Sequence, residues 1–117
     1  MEFKIIRIFS DHHGDSHFED LGVPLTLAGA IGFLSGKIKV EHIIFRKVLP
    51  DYDYEFHTAP SRQFIILLDG EIEIETSLGE KRQFTAGQVI QVEDITGKGH
   101  RTRNLQPVER QSIFITY

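Results

Sequence analysis

Hydrophobic and polar residues alternate with a period of two along most of this chain, and no long segment has the 3.6-residue apolar spacing of an amphipathic helix. The alternating runs are short. Turn-forming residues separate them at intervals of roughly 8–12 residues, as in sandwiches and barrels. We therefore predict an all-β fold, an antiparallel β-barrel or jelly roll.

The first strand is predicted over residues 2–9, and the polar, turn-rich residues 10–24 indicate a loop. Residues 25–36 are small and apolar with three glycines, and their state stays open. Residues 37–48 alternate most clearly. The more apolar of their two faces is expected to point inward, and it carries Ile38, Val40, His42, Ile44, Arg46 and Val48.

The dipeptide Asp69-Gly70 follows the apolar run "RQFIILL" and precedes "EIEIET". It tolerates the positive φ of a tight turn, so we predict a hairpin there. In the returning strand Ile72 and Ile74 should point inward and the glutamates outward.

The length of 117 residues indicates one domain, 1–117, with an N-terminal strand and loop over 1–24 and a core barrel over 37–117. The chain has 13 basic and 17 acidic residues, a net charge of −4 and no cysteine. This balance argues against nucleic acid as a partner. Because no apolar stretch nears the roughly 20 residues of a membrane span, and no signal peptide is apparent, we expect no membrane partner and a cytoplasmic location.

Two segments contain the candidate site residues. "EFHTAPSRQFIILLDG" (55–70) places His57 and Gln63 six residues apart, and "GQVIQVEDITGKGHRTRN" (87–104) contains His100. If residues 57–63 form a regular strand, His57 and Gln63 share one face, although Pro60 favours an edge or a bulge. His100 is then expected on the opposite sheet.

These segments resemble the two motifs of the cupin superfamily. The first motif, G-x5-H-x-H-x3,4-E-x6-G, is matched at His57 and Gly70, with Gln63 at the position of its glutamate and Ala59 in place of its second histidine. The second, G-x5-P-x-G-x2-H-x3-N, is matched at its end. Its matched positions are Gly97, His100 and Asn104, while Ile95 replaces its proline. In the first motif, Asp51 stands in place of the opening glycine.

The chain also looks like a group of small single-domain cupins with "SHFED", "APxRQF" and "TGKGH" segments. The cupin resemblance implies a site inside the barrel, where three histidines and a glutamate bind Fe, Mn, Ni, Zn or Cu. Here it carries over to His57, Gln63 and His100 only. Two imidazoles and one amide oxygen make a weak, neutral metal site, because divalent ions prefer anionic oxygen. His42 is a possible substitute ligand if it points inward.

Thr102 and Asn104 have the same strand parity as His100, so they are further candidates for hydrogen bonds to a ligand. Arg46 has the parity of His42. Buried charge is costly unless paired, so an inward Arg46 would imply an anionic ligand or a carboxylate partner, but its place near the strand end favours the rim. "DHHGDSH" (11–17) is expected to be a surface loop rather than a functional metal site.

Two functions remain open. The first is a binding module that holds a small polar, anionic or carbohydrate-like ligand near His57, Gln63 and His100. The second is a metal-dependent isomerase, lyase or dioxygenase acting on a small polar substrate. Acid–base catalysis by a histidine without metal is a third, weaker hypothesis. Because edge strands of a sandwich are often covered by pairing between subunits, we also expect a homodimer.

Overall fold

The computed structural model describes all residues, 1–117, and contains strands and one short 3-10 turn, Gly29–Ile31. No helix is long and apolar enough to cross a membrane. The strands are β1 Glu2–Ser10, β2 Ser16–Pro24, β3 Thr26–Leu27, β4 Phe33–Leu34, β5 His42–Val48, β6 Asp53–His57, β7 Gln63–Leu67, β8 Glu71–Thr76, β9 Lys81–Thr85, β10 Val89–Val92, β11 His100–Asn104 and β12 Arg110–Thr116.

The strands form a six-stranded sheet of order β2-β1-β10-β7-β12-β5, a four-stranded sheet of order β6-β11-β8-β9, and the small β3-β4 hairpin. The all-β prediction is confirmed. Pairing is antiparallel except between β1 and β10, which are parallel, a pair that the alternation pattern did not predict. The two large sheets share no hydrogen-bonded strand pair, so they form a jelly-roll-like sandwich rather than a closed barrel.

The core lies between the two large sheets. Ile8 and Ile90 of the first sheet and Phe84 of the second are fully buried. Ile72 and Ile74 of β8 are buried as predicted, and the intervening glutamates are partly exposed. This strand was predicted correctly because it has one buried and one solvated face, which is the arrangement that alternation reports.

The prediction of a loop over residues 10–24 is wrong. β2 pairs with β1 along its whole length, with Ile8 opposite Phe18, and only residues 11–15 form the connection. Ser16 and Phe18 are buried, whereas His17, Glu19 and Asp20 are partly or largely exposed. The polarity of a strand's outer face was therefore mistaken for the polarity of a loop.

The Asp69-Gly70 turn does not close a hairpin. β7 belongs to the six-stranded sheet and β8 to the four-stranded sheet, so the turn crosses between sheets. Gly70 has φ +71°, as the dipeptide predicts. The Asp69 carboxylate accepts a hydrogen bond from the backbone N–H of Gln111 at 2.6 Å, which ties the crossing to β12.

The strand predicted over 37–48 begins only at His42. Its partner β12 ends at Thr116, which is opposite His42, so residues 37–41 have no strand to pair with. Ile38 and Val40 were predicted to point inward but are 54% and 46% exposed. They lie with Phe33 and Leu34 over the outer face of the six-stranded sheet, where they line an apolar groove.

Candidate functional site

A cavity of about 500 Å³ lies between the two large sheets, a size typical of small-molecule sites. Two of its lining residues, Ile44 of β5 and Tyr54 of β6, are about half exposed, at 46% and 51%. β5 and β6 are the edge strands of their sheets. The cavity therefore opens between these two edges.

His57 and His100 line the cavity from neighbouring strands of one sheet, where they are register partners with ring centroids 4.8 Å apart. Gly99 makes this approach possible. It has φ +73°, and a Cβ there would overlap the carbonyl group of His57. Gln63 lines the cavity from the other sheet. The expectation that His57 and Gln63 share a strand facing His100 is wrong, since residues 58–62 around Pro60 cross between sheets.

The imidazole of His57 is fixed as a hydrogen-bond acceptor at Nε2. Its Nδ1–H donates to the backbone carbonyl of Glu55 at 2.7 Å, because a carbonyl can only accept. Burial lowers the pKa of His57 below its ordinary 6.5. The neutral ring therefore predominates at neutral pH, with its Nε2 lone pair free.

His100 is held by a carboxylate that the sequence analysis missed. Its Nδ1 lies 2.6 Å from Oδ2 of Asp94, which is fully buried behind the ring and does not line the cavity. The other carboxylate oxygen, Oδ1, has no hydrogen-bond partner. Such a carboxylate fixes the tautomer and orientation of the imidazole. The available signal was an aspartate two residues after the end of β10 and six residues before His100.

Two arginines line the same cavity. Arg46 stacks on the rings of Tyr52 and Phe114, with its guanidinium carbon 4.7 Å and 5.0 Å from their centroids. Arg110 is 2% exposed, donates from Nε to the side-chain oxygen of Asn104 at 2.6 Å, and has a terminal nitrogen without a partner. Burial and the charge of Arg46 lower the pKa of Arg110 to about 10.

Neither guanidinium forms a salt bridge, and no aspartate or glutamate lines the cavity. Arg46 was expected at the rim, and it lines the cavity from edge strand β5, partly exposed. Arg110 was not among the predicted site residues. The signal was the alternation of "RQSIFIT", in which Arg110 has the parity of the inward-facing Phe114 and Thr116.

The other predicted site residues differ in their placement. Thr102 lines the cavity and is 7% exposed. Asn104 does not line it. Asn104 instead holds Arg110 and donates to the backbone carbonyls of Leu49 and Pro50. His42 is exposed at the end of β5, near the hydroxyl of Thr116, and is outside the cavity lining, so a three-histidine site with His42 is not formed.

The side chains do not fit a tight divalent-metal site. The possible donors are Nε2 of His57, Nε2 of His100 and the amide oxygen of Gln63. The chain contains no group of three or more His, Cys, Asp or Glu side chains placed to hold a metal ion. The two charged residues in the lining are arginines, which repel a cation. In the segment 11–17, predicted to be a loop, His17 belongs to β2 and its Nε2 pairs with the Asp11 carboxylate at 2.6 Å.

No protein-family model matches the chain, and no curated protein matches it. Similar solved structures include a protein from Neisseria meningitidis, at 16% identity and TM-score 0.49 over 99% of this chain and 86% of that one. A cupin domain from Bordetella pertussis has 19% identity and TM-score 0.49 over 68% and 85% of the two chains. The Cnp3 cupin domain of Schizosaccharomyces pombe has 11% identity and TM-score 0.48 over 98% and 83%. With TM-scores below 0.5, these likenesses support no argument about ligand or activity.

Proposed function

We propose that this cupin-like chain binds a small anionic ligand in the cavity between its two large sheets. The observation that supports this function is the pair Arg46 and Arg110, two guanidinium groups in a cavity lining that contains no carboxylate. The chain as a whole is acidic, with a net charge of −4, so the positive lining is a local property of this cavity.

A buried, unpaired charge raises the free energy of the folded protein. A guanidinium has five N–H donors and no acceptor, and a carboxylate or phosphate satisfies it with two parallel hydrogen bonds. Arg110 uses one donor on Asn104 and leaves a buried terminal nitrogen without a partner. A ligand anion would supply both the missing acceptor and the missing negative charge. The chain therefore retains in the cavity a charge that it does not itself neutralise.

The polar residues towards the opposite end of the cavity would orient the rest of the ligand. His57 offers an acceptor at Nε2 and Gln63 an amide, and Thr102, midway along the cavity, offers a hydroxyl. These groups include the residues predicted from the two motifs. In this proposal they determine which anion is bound, while the arginines provide most of the affinity.

Isothermal titration calorimetry tests the proposal with benzoate, citrate and inorganic phosphate at low ionic strength. We expect at least one of these anions to bind the wild-type protein, and Arg46→Met and Arg110→Met to weaken that binding at least tenfold. Arg103→Met is the matched control, because Arg103 lies outside the cavity and pairs with Glu73 at 3.0 Å. Equal binding by all four proteins, or no binding by any, would contradict the proposal.

A second candidate is acid–base catalysis by the two histidines, such as isomerisation or elimination on the bound anion. It is favoured by the Asp94–His100 pair beside a neutral His57. Nε2 of His57 would accept a proton from the substrate, and the Asp94 carboxylate would keep His100 oriented to donate one. Loss of turnover in His57→Gln with anion binding retained supports this candidate, and unchanged turnover contradicts it.

The metal-dependent enzyme predicted from the cupin resemblance is tested separately. Elemental analysis of untagged protein, before and after incubation with Fe(II), Mn(II), Ni(II) or Zn(II), measures whether His57, Gln63 and His100 hold an ion. Near-stoichiometric metal that is lost in His100→Gln would support that enzyme. Absence of metal after incubation would exclude it.

A further inference from the structure

The cavity lining changes character in a regular order from one end to the other. On the six-stranded sheet, Gln63 lies opposite Thr116 at one end. The next inward level is Ile65 opposite Phe114 opposite Ile44, on three neighbouring strands. The level after that contains Arg46. Along β12 and β5, polar, apolar and cationic side chains therefore follow one another, while Val92 of β10 and Leu67 of β7 add apolar surface at the two end levels.

The four-stranded sheet repeats this order. His57 and His100 are register partners at the end where Gln63 lies, and Ile74 is opposite Thr102 one level further along. Beyond it Asn104, opposite Ile72, holds Arg110. We call Ile44, Ile65, Ile74 and Phe114 the apolar belt; it separates a histidine end from an arginine end.

We propose that the ligand is an amphiphilic organic anion. Its carboxylate or phosphate binds Arg46 and Arg110, an apolar ring or short chain crosses the apolar belt, and a hydroxyl at its far end donates to Nε2 of His57. This inference rests on the proposed anion-binding function and specifies the chemical class of the anion.

The belt disfavours a fully hydroxylated ligand. Thr102 offers one hydroxyl at this level, but most hydroxyl groups of such a ligand would meet carbon atoms, which costs free energy for each unpaired group. An apolar body gains free energy from the same contact. The Arg46 guanidinium, 5.0 Å from the Phe114 ring, places the positive charge directly beside the belt. An anionic group attached to a ring therefore reaches the arginine while the ring remains between the isoleucines.

The length of the cavity agrees with a single ring and its substituents. The histidine level and the Arg46 level are four residues apart along β12, from Thr116 to Ser112, which is about 13 Å of strand. Side chains extend into this span from both ends, and the remaining space belongs to the cavity of about 500 Å³. A sugar acid fits that volume as well. The apolar side chains of the belt, rather than the size of the cavity, therefore favour an anion with an apolar ring over a sugar acid.

The test compares four probes by calorimetry: 4-hydroxyphenylacetate, phenylacetate, gluconate and inorganic phosphate. We expect 4-hydroxyphenylacetate to bind most tightly, phenylacetate several-fold more weakly, and gluconate and phosphate at least tenfold more weakly. Ile44→Gln should weaken 4-hydroxyphenylacetate about tenfold and leave phosphate unchanged. Ile44 is half exposed, so the fold should tolerate this change. Ile43→Gln is the matched control on the opposite face of β5, outside the lining.

The outcomes separate this inference from the function on which it rests. If phosphate or gluconate binds through Arg46 and Arg110 at least as tightly as the ring carboxylates, the anion site stands and the amphiphilic class is wrong. An unchanged affinity for 4-hydroxyphenylacetate in Ile44→Gln would also overturn it. If no probe binds in a manner that depends on the two arginines, the anion-binding function itself fails.

Discussion

Replacing Arg110 with methionine should remove anion binding without destabilising the ligand-free protein. The fall in the pKa of Arg110 from the ordinary value of an arginine to about 10 corresponds to roughly 3 kcal/mol of lost preference for the charged form, at about 1.4 kcal/mol per pKa unit. The hydrogen bond to Asn104 and the stacking on Tyr52 together offset about 2–4 kcal/mol of this cost. Methionine fills similar space and brings no charge, so hydrophobic replacement is neutral or stabilising. The cost and its offsets nearly cancel, so we expect the free energy of unfolding to change by no more than about 1 kcal/mol in either direction.

Urea and thermal unfolding without ligand measure this change, at roughly 4 °C of melting temperature per kcal/mol. Arg103→Met should remain within about 0.5 kcal/mol of wild type, because that arginine lies on the surface. Removing one member of a buried, fully paired charge pair lowers the free energy of unfolding by about 3–5 kcal/mol. A loss of that size in Arg110→Met would show that the charge is satisfied inside the chain, and the argument for a ligand anion would be refuted.

Three further predictions concern the histidine pair and the outer face. Gly99→Ala should destabilise the fold by more than about 3 kcal/mol in urea unfolding, and Gly79→Ala by about 1–2 kcal/mol. Both glycines have positive φ, but only at Gly99 would a Cβ overlap the backbone of His57. Equal costs for the two variants would contradict the close approach of Gly99 to His57. Burial lowers the pKa of His57, so below the ordinary histidine pKa of 6.5 the unfolded chain binds a proton more readily than the folded protein does. The free energy of unfolding should therefore decrease as the pH is lowered, and His57→Gln should make this decrease smaller in urea titrations. An equal decrease in the variant and the wild type would show that burial does not lower the pKa of His57. We predict a homodimer, for which light scattering should give a mass of twice 13.4 kDa. Leu34→Glu in the apolar groove should yield a monomer, whereas Leu78→Glu, at an exposed position outside the groove, should not. A monomeric wild-type protein would disprove the predicted homodimer.

The sequence predicted the fold where each strand has its own two-sided environment. β8 is such a strand, with isoleucines in the core and glutamates in solvent. The prediction failed where the outcome depends on a distant partner. Residues 37–41 alternate as well as β8 does, yet β12 ends before it can pair with them. The Asp69-Gly70 signal predicted the backbone conformation of the turn correctly, but the signal is the same for a turn within one sheet and a turn between two sheets.

For the site, local spacing predicted the residues of the motifs better than their partners. His57, Gln63 and His100 all line the cavity, although not from the sheets that alternation suggested. Asp94 could not be predicted as the partner of His100, because its carboxylate lies behind the ring and its role depends on the course of the 94–100 loop. Arg110 was overlooked because an arginine at the start of a strand is ordinarily solvated.

The departures from the cupin motif and the two unpaired arginines have one electrostatic explanation. A glutamate in place of Gln63 would add a negative charge to a cavity whose lining has none, about 13 Å of strand from the Arg46 level. At that separation and an effective dielectric constant of about 20, its attraction to a guanidinium is on the order of 1 kcal/mol, and its repulsion of a bound anion is similar or larger. With Gln63 and Ala59 in place of the motif's glutamate and second histidine, the cavity loses two ligands for a cation and keeps its full positive potential for an anion. Gln63, which weakens a metal site by removing a carboxylate, therefore also favours the proposed anion site.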